Sequence, residues 1–232
     1  MLNEEELVPY QVSPLPPGPW LVLAPHPDDE TLGLGGALAL AQKKGLQVHV
    51  VFVSHGELAG DPFQRQKEAL KALSIFQIRN FSFWGLPDRK IFKHLESFQE
   101  KFLKIFTSKI KSIFVPSIFE YHPDHRAVSW GTIALLQELT WPGEVWFYEV
   151  ARQGEINRLL DISAVIEKKK QALLCYQSQL SQNAYLEIGL CLNRARAYTL
   201  GHQGVTYAEG FFACKALDFP SSLAEQLKKY FR

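Results

Sequence analysis

Cysteine is scarce in this chain. Cys175, Cys191 and Cys214 are the only three in 232 residues, the count is odd, and no C-x-x-C pair occurs. A disulfide framework is therefore not expected, and a reducing compartment fits better. An excess of one charge is also lacking: 25 Lys and Arg stand against 24 Asp and Glu, a net charge of +1. No global field draws the chain to nucleic acid or to an anionic membrane. No apolar run approaches the ~20 residues that span a bilayer. The first residues, M-L-N-E-E-E-L, show neither the basic nor the apolar segment of a secretory signal. Repeats and low-complexity tracts are absent too. The expectation is a soluble cytoplasmic protein, with no nucleic-acid partner and no stable membrane insertion.

What is present is an ordinary globular composition, 47% hydrophobic and 21% charged. Pro9, Pro14, Pro16, Pro17 and Pro19 mark residues 1–19 as an extended arm, leaving 20–232 as a single domain. From Trp20 the texture alternates. W-L-V-L-A-P (20–25), L-Q-V-H-V-V-F-V-S (46–54), F-S-F-W (81–84) and S-I-F-V-P-S (112–117) read as strands. Residues 29–44, 62–77, 91–109 and 124–139 read as the helices after them. Downstream, 144–150 and 211–217 read as strands, and 163–180, 183–197 and 220–231 as helices. The triplet Lys168, Lys169 and Lys170 reads as a solvated face. Repeated β-α units imply a parallel sheet with helices on both faces. Sites in such sheets lie outside the carboxyl ends of the strands. Three strands end in polar clusters there: P-H-P-D-D-E (25–30), S-H-G-E (54–57) and E-Y-H-P-D-H (120–125).

Two of these clusters carry chemistry. His26, Asp28, Asp29 and Glu30 follow the first strand; His122, Asp124 and His125 follow the fourth. Pro123 suits a first helical position, which sets His122 near the cap and His125 about one turn on. Two histidines and one carboxylate form the protein ligand set of a catalytic zinc site, and iron(II) or another divalent metal accepts similar donors. Zinc lowers the pKa of a coordinated water to about 7. The acids then divide the work: one on the metal, one as base, and one at the helix start, where Glu30 meets the positive end of the helix dipole. Either cluster alone could be a plain turn or a plain capped helix. Two of them at one sheet edge make coincidence the weaker reading.

A-P-H-P-D-D-E with Y-H-P-D-H resembles the hallmark pair of the LmbE/PIG-L family of zinc-dependent N-acetylglucosamine de-N-acetylases. Lesser similarities run over residues 20–215: S-H-G-E (54–57), R-Q-K-E-A (65–69), F-W-G-L-P-D (83–88), L-L-D-I-S (159–163), K-x-x-A-L (169–173), Y-Q-S-Q (176–179), L-N-R-A-R (192–196) and Y-A-E-G-F (207–211). The resemblance implies a Rossmann-like, mostly parallel α/β sheet sandwiched by helices. It implies hydrolysis of the N-acetyl group of an N-acetylglucosamine-type sugar conjugate. It assigns His26, Asp29 and His125 to the metal and Asp28 to the role of general base. His122 would hold the oxyanion and protonate the leaving amine, and Asp124 would orient a histidine. Arg65, Glu57 and Asp88 become substrate contacts. Two departures stand out. Position 25 is proline where alanine is commoner. The position of a catalytic tyrosine in some members is Glu120 here; Tyr121, one residue later, is left without an assigned role. Members often form homo-oligomers.

The remaining signals are weaker. T-L-G-L-G-G (31–36) fails the dinucleotide pattern because position 38 is leucine, and Gly36 reads as room for close helix packing. His49, His94 and His202 read as structural or solvent-facing, His55 as a residue at the site's edge. Trp84 and Phe63 read as packing residues rather than sugar platforms. Two other functions stand beside deacetylation: an amidase for a larger acyl group or thiol conjugate, and a non-catalytic sugar-binding protein.

Overall fold

The strand Trp20–Ala24 (β1) shows how the layers arise. Trp20, Val22 and Ala24 fall in one apolar cluster, while Leu21 and Leu23 fall in another. Successive side chains point to opposite faces of a sheet, so both faces of β1 are covered. The computed structural model describes residues 11–201 and 204–219. The expectations for residues 1–10, for His202 and for a helix over 220–231 lie outside the described residues.

After β1 come helix α1 (Asp29–Lys43), β2 (Val48–Phe52), α2 (Pro62–Ile75), β3 (Asn80–Phe83), α3 (Leu95–Ile105), β4 (Ser112–Pro116), α4 (Pro123–Glu138) and β5 (Glu144–Tyr148). Then follow β6 (Arg158–Asp161), α5 (Ile166–Leu173), α6 (Gln177–Leu180), α7 (Tyr185–Tyr198) and β7 (Ala208–Lys215). The strands form one sheet in the order β3-β2-β1-β4-β5-β7-β6. β1 to β5 pair in parallel, and β7 runs antiparallel to both β5 and β6. Residues of α1, α2 and α5 pack in the cluster with Trp20, and those of α3 and α4 in the cluster with Leu21. The mostly parallel sheet between helices matches the expectation.

The chain order reverses between β1 and β4. β2 lies on one side of β1 and β4 on the other, so the loops leaving these two strands part and leave a crevice between them. Both histidine-bearing clusters are on those two loops.

Several elements differ from the sequence reading. The helix expected over 91–109 begins with a 3-10 turn, Ile91–Lys93, and α3 ends at Ile105. The helix expected over 163–180 is three pieces: a 3-10 turn, α5 and α6. β6 is missing from the sequence reading because R-L-L-D is short and polar at both ends, and its partner β7 begins three residues before the expected strand. Lys169 is the clearest correction. It lies on no solvated face but is fully buried.

The reason is a break in α1. Leu34 has φ −141°, outside helical geometry, and the helix kinks there. A kink frees backbone groups that must find partners. Lys169 Nζ donates to Leu32 O at 2.8 Å and to Glu209 Oε1 at 2.7 Å. Glu209 accepts the N–H groups of Gly36 and Ala37 at 2.7 and 2.8 Å. The buried ion pair therefore caps both ends of the break. A Cβ on Gly36 would stand 2.4 Å from Ile162 Cγ2, so close packing does explain this glycine.

Candidate active site

Asp28 takes φ 123° at the turn into α1, a conformation that side chains with a Cβ rarely adopt. Strain of this kind persists only where the surroundings enforce it, and it gathers at functional sites. Here Arg65 enforces it. This arginine of α2 is 2% exposed; its guanidinium donates to Gly56 O and Pro27 O, both at 2.8 Å, and to Asp28 Oδ2 at 3.2 Å. Gly56, at φ 64°, makes room: a Cβ there would fall 2.0 Å from Arg65 Nη1.

The next carboxylate collects histidines. Asp29 Oδ2 accepts the backbone N–H of His26 at 2.9 Å and stands 3.1 Å from His26 Nδ1 and 3.2 Å from His125 Nε2. His122 caps α4, and its Nδ1 accepts the N–H of Asp124 at 3.2 Å. Pro123 takes the first helical position. The three imidazoles form one group, with centroids 4.6 Å apart for His26 and His122, 5.4 Å for His26 and His125, and 5.2 Å for His122 and His125. The other ring nitrogen of His26, Nε2, faces two further acids, Asp88 Oδ1 at 3.2 Å and Asp124 Oδ2 at 3.4 Å. Asp124 is itself anchored by Arg89 N at 2.6 Å and Ile91 N at 3.1 Å.

The donor set fits a divalent metal. Ligands about 2.0–2.1 Å from a tetrahedral zinc stand about 3.3 Å from one another. The contacts of Asp29 Oδ2 with His26 Nδ1 and His125 Nε2 are 3.1 and 3.2 Å. His26, His122 and His125 also offer ring nitrogens within 4.8 Å of one another, as do the donors of His26, Asp88, His122 and Asp124. Asp29 belongs to neither of these two groups; its place in the donor set rests on the one oxygen that it brings close to both the His26 and the His125 ring. Among the acids and histidines of the site, His125 Nδ1 and Asp88 Oδ1 are buried without an aligned hydrogen bond, although Asp88 Oδ1 is close to His26 Nε2.

Protonation in the metal-free site follows from this crowding. Burial pushes the Asp28 carboxyl well up, against the pull of Arg65. Burial works against the Asp29 carboxylate too, but His125 and His26 outweigh it and hold that group well below the usual range. Burial would lower His26, yet Asp124, Asp29 and Asp88 raise it well above 6.5. A metal that replaces the shared protons relieves the charge that this cluster concentrates. His122 has the opposite balance. Burial, then the positive charges of His26 and His125, bring it down to about 4. Burial opposes ionisation of Asp88, but the hydrogen bond and charge of His26 bring it to about 2. Glu30 does more than meet a helix dipole. It is fully buried, accepts hydroxyl hydrogen bonds from Thr31 and Tyr176 at 2.5 Å each, and takes Asp28 N–H at 3.2 Å. Burial raises it to about 7.

All of this opens on a cavity of about 420 Å³, lined by His26, Asp28, Asp29, Arg65, Asp88, His122 and His125 among others. Its size suits a small-molecule site. The structure brings together every expected catalytic and metal residue. Asp124 lies behind them, against His26. Of the expected substrate contacts, Asp88 and Arg65 line the cavity but are engaged with protein groups. Glu57 is solvent-exposed and accepts Asp88 N–H at 2.8 Å. Trp84 packs edge-on against Phe98 at 5.4 Å, in the core, and Phe63 is 73% exposed. Glu120 has a role that the sequence reading does not give it. It is 1% exposed and receives the N–H groups of Val150, Ala151 and Arg152, tying the fourth-strand loop to the loop after β5. A glutamate beside an exposed tyrosine gives no sequence sign of such a role.

Comparison with known proteins agrees with this geometry. The PIG-L family model, GlcNAc-PI de-N-acetylase, matches residues 21–136. A Bacillus subtilis (strain 168) protein described as a probable N-acetyl-alpha-D-glucosaminyl L-malate deacetylase 2 is 26% identical over 181 residues, 68% of this chain and 82% of that one. The crystal structure of the conserved protein TT1542 from Thermus thermophilus is similar at 30% identity, with a TM-score of 0.68 over 83% of this chain and 93% of that one. The N,N'-diacetylchitobiose deacetylase from Pyrococcus horikoshii shares the fold at 19% identity, with a TM-score of 0.74 over 87% of this chain and 85% of that one. With the family match spanning both histidine clusters, the chain belongs to the PIG-L (LmbE-like) GlcNAc-PI de-N-acetylase family.

Proposed function

We propose that this protein is a metal-dependent hydrolase that removes the N-acetyl group from an N-acetylglucosamine-type sugar conjugate. One observation carries the reading. A buried, strained Asp28 adjoins an Asp29 oxygen shared by two imidazole nitrogens, at the wall of a small-molecule cavity. A sugar-binding protein has no use for a base held in strain beside a metal ligand set. The family, and the malate deacetylase named among its relatives, support the substrate class.

His26, Asp29 and His125 would hold the metal, zinc by the softness of the donors, with iron(II) accepted by the same set. When bound, such an ion polarises the acetyl carbonyl and makes a water more acidic. Asp28 takes the proton of that water. Its Oδ2 is held by Arg65, which leaves Oδ1 without a protein hydrogen bond among the described residues. His122 meets the charge that develops on the carbonyl oxygen. Its Nδ1 already accepts the Asp124 N–H, and at about 4 its pKa leaves it neutral near pH 7, so its one proton is on Nε2. A neutral ring of this tautomer stabilises an oxyanion but is a poor acid. The proton for the leaving nitrogen therefore comes from Asp28, which has just received it. The C–N bond breaks, and acetate and a free amine leave.

The test is Asp28→Asn. It should retain bound metal by elemental analysis and lose about 10²–10⁴-fold in released amine, the usual worth of a general base. Chelation should abolish wild-type turnover and zinc should restore it. An unchanged rate in Asp28→Asn, or full activity in the chelated protein, refutes the mechanism.

A further inference from the structure

Arg89 follows Asp88 in the loop after β3 and lines the same cavity as the histidines. Its backbone is left-handed, with φ 59°. Gln77 and Thr140 share that conformation, but both close helix ends, where Ile78 N bonds back to Leu73 O and Trp141 N to Leu136 O. Arg89 ends no helix. A left-handed residue with a Cβ carries a steric penalty that glycine avoids, and a long side chain gives no local hydrogen bond in return. The strain makes this arginine a candidate for a role beyond the turn.

Its charge is also uncompensated. Arg89 is exposed, and its guanidinium has no carboxylate within 4.0 Å among the described residues. The acids of the cavity cannot serve it. Asp28 is held by Arg65, Asp29 by the two histidines, Asp88 by Leu58 N–H near His26, and Glu120 by three backbone N–H groups. A second guanidinium adds to the field. Arg152 stands 5.6 Å from the ring of Tyr121, another cavity residue, and its guanidinium donates to Phe119 O, a neutral carbonyl. The acids of the cavity floor are therefore already engaged, while Arg89 on the lining and Arg152 beside Tyr121 have no carboxylate partner among the described residues, in a chain whose net charge is only +1.

We infer that Arg89 is a specificity-determining residue for an anionic group, carboxylate or phosphate, attached to the amino sugar beyond the reacting acetamide. Guanidinium pairs with either anion through two parallel hydrogen bonds, which orients as well as attracts. The position suits this. The Arg89 backbone N–H is fixed on Asp124, which also contacts His26, so the side chain starts from a point set by the metal site. The inference rests on the proposed deacetylation, and it adds the charge of the aglycone.

The test compares three N-acetylglucosamine compounds with the same anomeric configuration: the methyl glycoside, the malate glycoside and the 1-phosphate. Released amine gives kcat/KM for wild type, Arg89→Gly and Arg89→Lys. Wild type should prefer one or both anionic compounds, and the malate and phosphate arms show which anion is read. In Arg89→Gly the anionic-to-neutral ratio should fall at least tenfold, mostly through KM, with partial recovery in Arg89→Lys. Added salt should shrink the wild-type preference. The same Arg89→Gly variant should unfold about 2–4 °C higher, because glycine relieves the left-handed strain. An unchanged ratio in Arg89→Gly overturns the inference. If wild type hydrolyses none of the three, the deacetylase reading fails instead, and the same ratios are read as binding constants by calorimetry.

Discussion

The Lys169–Glu209 pair offers a sharp test of how helix α1 is held. Both side chains are fully buried, and their 2.7 Å contact closes the break in α1. In Lys169→Met, Glu209 keeps its charge and two N–H donors but loses its counter-charge. In Glu209→Gln, Lys169 keeps its charge with only Leu32 O against it. Removing one partner of a buried pair costs about 3–5 kcal/mol, because the other charge is left uncompensated. For a chain of this length that is a fall in Tm of about 6–20 °C. The double variant Lys169→Met/Glu209→Gln removes both charges, and its glutamine carbonyl can still accept from Gly36 or Ala37. It should cost only about 1–3 kcal/mol, the worth of the hydrogen bonds still missing. Urea denaturation of the four proteins gives the cycle directly. A coupling of several kcal/mol is expected. Single variants that cost under about 1 kcal/mol, or costs that simply add, would refute the account of the kink.

Three further outcomes follow from the same geometry. Arg65→Met removes the cation beside Asp28, so the carboxyl pKa rises further and the acidic limb of the pH–rate profile moves to higher pH; Arg65→Lys, which keeps the charge, should move it less, and a limb that stays in place or moves down contradicts the pairing. Glu30, raised from 4.5 to about 7, binds its proton more tightly in the folded state, so its ionisation costs stability that is absent at low pH and fully present above about pH 7. In metal-free protein, Glu30→Gln should therefore gain on wild type by about 2–3 kcal/mol between pH 5 and pH 8, read by denaturation at both values. Gly36→Ala forces a Cβ into Ile162 and should destabilise by about 1–3 kcal/mol in the same assay, whereas Gly45→Ala, which meets nothing within 4 Å, is strained only by its backbone.

The place of the candidate site was legible because its residues lie in short runs at strand ends. H-P-D-D-E and H-P-D-H combine residue types that are poor core material with a β-α rhythm that places both at one sheet edge. The strands β1, β2, β4 and β5 were equally plain, since burial on both faces writes them as largely apolar runs, while the edge strand β3 showed itself by alternation, N-F-S-F. What holds the site was not legible. Lys169, Glu209 and Arg65 are charged, and charged residues read as surface unless their partners are known; those partners are backbone groups and opposite charges 9 to 173 residues away. The same holds for Glu120, whose bonds go to amides of another loop. β6 is four residues long and borrows its stability from β7, which its own letters cannot show.

Asp124 grips Arg89 by the main chain, and that choice of handle has a consequence for substitution at position 89. Every residue except proline offers an N–H at position 89. Substitutions there can exchange one recognition element for another while the bond to Asp124, and through it the setting of His26, stays in place. If Arg89 reads the conjugate and His26 holds a metal, as proposed, recognition and metal binding would meet at one hydrogen bond and could still be changed separately.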